Sequence, residues 1–363
     1  MPSSSTPPAL TQRGDDVLIA GLGARTASGL TALQVTMSAR ARKLAPRPTH
    51  MLDRSGEAMA MARLLSIADD VFGLERLVAL GGPTLIQAAF PWLSARRHED
   101  EELPVVLALP SERRPGFDRR TERDLLPALE ARSRVPLDRA RSQLITSCRA
   151  GGVIAFKRGI QLIRQGCPAV LVGGIDSYFD PDTLEDLDRA LRLHGPETED
   201  GFIPGEGAGF VLLVPRGRAS GIARSARLVA AASELEPRPY GSDEPCLAQG
   251  ITRAVRRAAA GVGVTRRIPW ALTDVPNERW RVEEWMYAFG RNFEAFTPDV
   301  VHEQPLLRTG DLGAASAAVL VAMAATRWQT GCAVGDVALI ATLSDGAERG
   351  ALVVAAEPGE VRP

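Results

Sequence analysis

The chemistry open to this chain is bounded by the few side chains it holds for proton transfer and nucleophilic attack. Of its 43 basic residues only Lys43 and Lys157 are lysines. The others are arginines, which stay protonated and serve neither as Schiff-base amines nor as proton shuttles. Four cysteines (Cys148, Cys167, Cys246, Cys332) and four histidines (His50, His98, His194, His302) complete the inventory. None of the cysteines has the CxxC or CxxH spacing of a zinc or redox motif, so no metal site is expected. His50, His98 and His194 lie in charged or polar stretches and are expected at the surface. His302 ends an apolar segment and could approach a pocket. Cys148 is the candidate catalytic residue. It follows a short strand at 143–146 and opens a helix, where the helix dipole would lower its thiol pKa. The alternative role is a buried, small apolar thiol.

An alternating α/β frame would hold these positions. Residues 17–20 form an apolar strand running into Gly21-Leu22-Gly23 and then Gly29, read as a tight turn before a helix. The glycine pair is a fragment of a dinucleotide fingerprint with the third glycine out of register, so no nucleotide cofactor is expected. Residues 51–92 carry a helical pattern, 104–109 a buried strand, and 111–123 a charged, exposed loop. Apolar residues at helical spacing across 153–165 stop at Gly166, and 169–172 is a buried strand ending at Gly173-Gly174. Strand, helix and strand in this order make a βαβ unit and a parallel sheet. Gly205, Gly207 and Gly209 are expected in a turn leading to a strand at 210–214. Residues 234–244 read as polar loop. Helices are predicted at 246–260, 278–290 and 313–327, and strands near 298–302, 336–342 and 350–356. Trp270, Trp280 and Trp285, with Arg279 and Arg281, are expected to pack around a partly buried helix, with a partner-facing surface as the alternative.

Four segments in order resemble the β-ketoacyl synthases of the thiolase superfamily. Residues 146–152 (TSCRAGG) and 165–176 (QGCPAVLVGGID) are similar to the family's nucleophile motif, its helix and the Gly-Gly strand. Residues 200–210 (DGFIPGEGAGF) resemble Gly-Phe-x-x-Gly-Glu-Gly-Ala-Gly nearly residue for residue. Residues 310–316 (GDLGAAS) resemble Gly-His-x-x-Gly-Ala-Ala-Gly, and 17–29 the opening Val-x-Ile-Thr-Gly-Leu-Gly. The resemblance implies a thiolase-like α/β fold of two similar halves in an αβαβα arrangement. It also implies a dimer and a nucleophile at Cys148. The family places small hydroxyl residues after that cysteine, where this chain has Arg149. Condensation needs two histidines and a lysine as well. At the second histidine stands Asp311 and at the lysine Leu306, and the stretch 271–280 that should carry the first has no histidine. Residues 344–349 replace the closing Gly-Phe-Gly-Gly loop. Glu206, inside the best-matched motif, is expected to satisfy buried backbone donors.

Composition narrows the function classes. The chain has 363 residues, a net charge of −1 and 45% hydrophobic residues. A phosphate-backbone binder would need a basic excess, so nucleic acid is excluded as a partner. The longest apolar run, 314–326, is too short to span a bilayer, so no membrane partner is expected. The start lacks the basic and apolar regions of a secretory signal, and few cysteines fit a reducing cytoplasm. The expected layout is a disordered tail at 1–15 and two thiolase-like halves at 16–200 and 201–358. No cofactor is expected. Function divides between classes. One is a non-catalytic partner or adaptor, like a chain length factor or a type VI secretion accessory. Another is a Cys148-dependent acyltransferase, and a third a complete 3-oxoacyl-(acyl carrier protein) synthase. The partners implied are a homo- or heterodimer mate, an acyl carrier protein, a ketosynthase or a secretion effector.

Overall fold

The structure, a computed structural model, describes residues 11–95, 101–195, 198–218, 226–263 and 266–357, with backbone alone for 11–16. The first elements are β1 (Thr11–Thr26), α1 (Ala32–Arg40), β2 (Arg47–Leu52), β3 (Ala58–Met61) and α2 (Gly73–Leu93). Next come β4 (Val105–Ala108), α3 (Thr121–Ser133), β5 (Gln143–Ile145), α4 (Cys148–Arg164) and β6 (Val170–Ser177). After them follow α5 (Pro181–Arg189), β7 (Glu206–Pro215), β8 (Ala226–Leu235), α6 (Gln249–Ala259) and β9 (Ile268–Thr273). The chain continues through α7 (Arg279–Arg291), β10 (Phe296–Glu303), α8 (Leu306–Thr309), α9 (Ser316–Gln329), β11 (Val337–Leu343) and β12 (Glu348–Ala356).

Strands outside the small β2–β3 pair form one hydrogen-bonded series, β10-β9-β11-β12-β8-β1-β7-β6-β4-β5. It divides into two five-stranded leaves joined where β1 pairs with both β7 and β8. Both faces of each leaf are covered, which is why strands such as Val105–Ala108 and Phe210–Val214 read as unbroken apolar runs. Val106, Val172, Val211 and Leu213 point into a central core with α4 and α9. Their neighbours Val105, Leu107, Leu171 and Leu212 face α2 and α3. Outward residues of β8, β11 and β12 meet α6 and α7. Helix α4 touches β4 and β6 of one leaf and β8 and β12 of the other. The order is therefore helices, leaf, α4 with α9, leaf, helices: the expected thiolase-like αβαβα arrangement.

Several expectations need correction. Strand β7 lies in the first leaf, so the halves divide between Pro215 and Ala226 rather than at 200. Residues 1–10 of the expected tail lie outside the described residues, and from Thr11 the backbone is already in β1. Gly21 and Gly23 sit inside β1 rather than in a turn. A Cβ there would lie 1.9 Å from the Ala88 carbonyl oxygen and 2.2 Å from that of Thr84, so the glycines admit the backbone of α2. The helix expected from residue 51 begins only at Gly73, after β2 and β3. The tryptophans do not gather: Trp270 packs with Trp328 in the central layer, while Trp285 belongs to the outer α6–α7 layer. Trp280 stacks on Tyr240.

Candidate functional site around Cys148

Cys148 is held at the joint between β5 and α4. Its backbone N–H donates to the Leu109 carbonyl (3.1 Å) at the end of β4. Its φ is +52°, a left-handed conformation that costs a non-glycine residue about 1–3 kcal/mol and persists only under tight constraint. The constraint comes from the β11–β12 loop. There the Ser344 hydroxyl donates to the Ser147 carbonyl (2.7 Å) and accepts from the Ala150 N–H (2.9 Å). The thiol is 5% exposed at the bottom of a cleft of about 680 Å³. The cleft mouth is formed by residues 111–115, by α5 and by the β11–β12 loop.

Around the sulfur the sequence assembles a buried ionic network. Arg149 is 0% exposed, and all of its guanidinium nitrogens are bonded. Nε and Nη2 donate to Asp311 (3.1 and 2.7 Å), Nη1 to Asp345 (3.0 Å), and Nη2 also to the Tyr178 hydroxyl (2.6 Å). Arg281 donates to Asp311 (2.8 Å) and Asp345 (3.0 Å), and pairs with Glu278 (2.8 Å). Arg192 bridges Glu278 and Asp345. On the cleft side, Arg114 holds Asp176 through two bonds (2.5 and 3.1 Å), with its guanidinium 4.2 Å from the Tyr178 ring centre. Four arginines thus meet four carboxylates, with no net charge left to hold an ionic substrate.

The electrostatics follow from burial and pairing. Burial pushes the Cys148 thiol above its usual pKa. Arg149 (Nη1 to Sγ 3.8 Å) and Arg114 (Nη2 to Sγ 3.5 Å) oppose this, and Asp176 reinforces it. Burial thus works against the lowering expected at the helix start and favours the thiol over the thiolate. Burial also raises Asp311, but Arg149 and Arg281 outweigh it and hold the carboxyl at about 2. Asp311 is thus an acceptor only, and its Oδ1 takes the Gly313 N–H (2.8 Å) ahead of α9. Asp274 goes the other way, pushed by burial to about 7 against the pull of Arg281 and Arg149.

The other sequence candidates sort clearly. Glu206 plays the expected structural part: its carboxylate accepts from the Leu64 N–H (2.7 Å) and the Ser177 hydroxyl (2.7 Å). It also pairs with the buried Arg76 (2.5 Å), a partner the sequence did not reveal. Leu306 is buried in the central core. His302 does not approach the cleft. It lies on the edge strand β10, 4.4 Å from the Phe289 ring centre. His50 and His194 are exposed, and His98 lies outside the described residues. Arg114, Arg192, Arg281 and Asp345 were missed. Among 41 arginines nothing local marks those that fold inward; the one signal was the adjacency of Arg149 to Cys148.

Residues 139–219 match the family described as "Beta-ketoacyl synthase, N-terminal domain". The chain is 33% identical over 140 residues to the "Actinorhodin polyketide putative beta-ketoacyl synthase 2" of Streptomyces coelicolor, covering 34% of this chain and 33% of that protein. It is 28% identical over 166 residues to the "Putative polyketide beta-ketoacyl synthase 2" of Streptomyces virginiae, covering 41% and 40%. These matches span a third to two fifths of each relative. The fold is similar along nearly the whole length to a ketosynthase of a type II polyketide synthase, solved with its acyl carrier protein. That likeness has a TM-score of 0.76 and 14% identity, covering 95% of this chain and all of that one. The ishigamide ketosynthase/chain length factor gives a TM-score of 0.69 at 18% identity, over 94% and 99%. Among the described residues no helix is long and apolar enough to cross a membrane. Over residues 139–219, around Cys148, the chain is thus similar to the β-ketoacyl synthases, and along nearly its whole length it has the fold of solved ketosynthases.

Proposed function

We propose that the protein is a non-condensing ketosynthase-like subunit that acts as a partner, in the manner of a chain length factor beside an active ketosynthase. The observation carrying this reading is the saturated Arg149 network. Decarboxylation of a malonyl thioester needs donors free to receive the developing negative charge. Beside Cys148 the donors are committed to carboxylates, and the backbone N–H of Cys148 is committed to Leu109. An ionised Asp311, where the resemblance expects a histidine, repels that charge. The similarity to a ketosynthase/chain length factor structure supports the same reading. An acyl carrier protein and a ketosynthase are the proposed partners, and four free cysteines fit a reducing cytoplasm.

The second reading, a Cys148-dependent acyltransferase, is favoured by one feature: the cleft reaches the sulfur, with two guanidinium groups beside it. Thiol reactivity separates the two. Native Cys148 should react with iodoacetamide more slowly than an unperturbed thiol, since its thiolate is disfavoured. Intact-protein mass spectrometry after incubation with acyl-CoA or acyl carrier protein should show no stable acyl adduct. A rapid adduct mapped to Cys148 and lost in Cys148→Ser would establish the acyltransferase instead.

A further inference from the structure

A second cavity, of about 330 Å³, shares no residue with the Cys148 cleft. It opens between the end of α1, the β10–α8 connection and α9. Trp270, Leu272 and Met323, all buried, give it an apolar floor. The indole N–H of Trp270 has no hydrogen-bond partner among the described residues. Arg40, Arg42 and Arg308 stand around the cavity, the first two exposed and the third half-buried. None of the three has a carboxylate partner among the described residues.

A fourth arginine in the lining is already committed. Arg327 donates to Glu303 (2.5 Å) and to the Cys332 carbonyl (3.1 Å), and its guanidinium sits 4.5 Å from the Trp270 ring centre. Glu303 is the one acid in the lining. Three positive charges therefore remain uncompensated around one cavity, in a chain whose net charge is −1. Elsewhere buried arginines are matched with acids, as around Cys148. The helix dipole accounts for Arg40, which lies in the last turn of α1 where a cation meets the free carbonyls. Arg308 likewise lies in the last turn of the four-residue α8, whereas Arg42 lies past the end of α1 with a φ of +53°.

We infer that this cavity binds a small amphiphilic anion, a carboxylate or phosphate head on a short acyl or aromatic body. Planar guanidinium forks suit both oxyanions, and the floor of Trp270, Leu272 and Met323 takes the apolar part. Its volume falls at the lower end of the range of small-ligand pockets, about 300–1,000 Å³. The inference stands independently of what Cys148 does.

The test is calorimetric titration and thermal shift of the full chain at low salt, with octanoate, octyl phosphate and inorganic phosphate as probes. At least one octyl probe should bind saturably, raise the melting temperature and alter tryptophan fluorescence. The octyl probe that binds identifies the head group. Its affinity should fall at least tenfold in the Arg42→Gln/Arg308→Gln double variant and measurably in Arg40→Gln, with both variants melting like the parent when unliganded. Cys148→Ser should bind as the parent does. No binding of either octyl probe, binding that survives the double variant, or inorganic phosphate binding as tightly as the octyl anion would each overturn the inference.

Discussion

Arg149 follows Cys148, and its side chain is fully buried. Burying a guanidinium is costly unless its hydrogen bonds are made, and here Asp311, Asp345, Tyr178 and the Cys148 sulfur receive them. Its neighbour Asp274 gives a measurable consequence. A carboxyl raised from 3.8 to about 7 in the fold favours the neutral form. Its stabilisation is complete below about pH 4 and is lost as the pH climbs to about 7, up to about 4 kcal/mol in all. Asp311 has the opposite sign, with stability lost as the pH falls from about 4 towards 2. The parent should therefore melt lower at pH 8 than at pH 5, and Asp274→Asn should remove most of that difference while keeping an acceptor for the Leu343 N–H. Parallel melting curves for the two proteins would show that Asp274 is ionised throughout. At this scale Cys148, Asp311 and Glu206 were legible because the motifs carry them. Arg114, Arg281 and Asp345 were not, because most of their partners lie 30 to 196 residues away in sequence, the local Arg281–Glu278 pair excepted.

Elements were readable where one face or one composition dominated. β4, α4, α6, α9, β11 and β12 fall where their apolar runs and periods put them. β8 was missed, partly as polar loop, because Ala226–Leu235 is alanine-rich and draws its strand character from burial between β1 and β12 rather than from propensity. The motif Gly205–Gly209 was recognised but its local form was not. Gly207 and Gly209 lie in β7 and not in a turn, while the expected close approach holds. A Cβ on Gly207 would lie 2.8 Å from the Arg25 carbonyl oxygen and 3.1 Å from the Thr26 methyl group. Those atoms belong to β1, which joins the two leaves and has little room to move. Gly207→Val should therefore lower stability by at least about 1–3 kcal/mol, seen as a depressed melting temperature or loss of soluble protein. Parent-like melting would place the motif outside the rigid core.

For the whole molecule, the layered architecture was legible from motif order alone, whereas the boundary between halves was not, since β7 crosses it to complete the first leaf. The series of strands ends at β5, whose three residues leave one edge unpaired. An open edge of this kind is a template for pairing with another chain. We expect association through that edge, so Arg141→Glu with Gln143→Glu, both exposed positions, should shift the protein to smaller species in light scattering. Unchanged mass would move the interface elsewhere. The claim on which the functional reading turns is that a saturated ion network has replaced the condensing machinery, and malonyl-loaded acyl carrier protein tests it directly. Decarboxylation should not exceed that of a Cys148→Ala control. Robust product from the parent that disappears in Cys148→Ala would contradict the account.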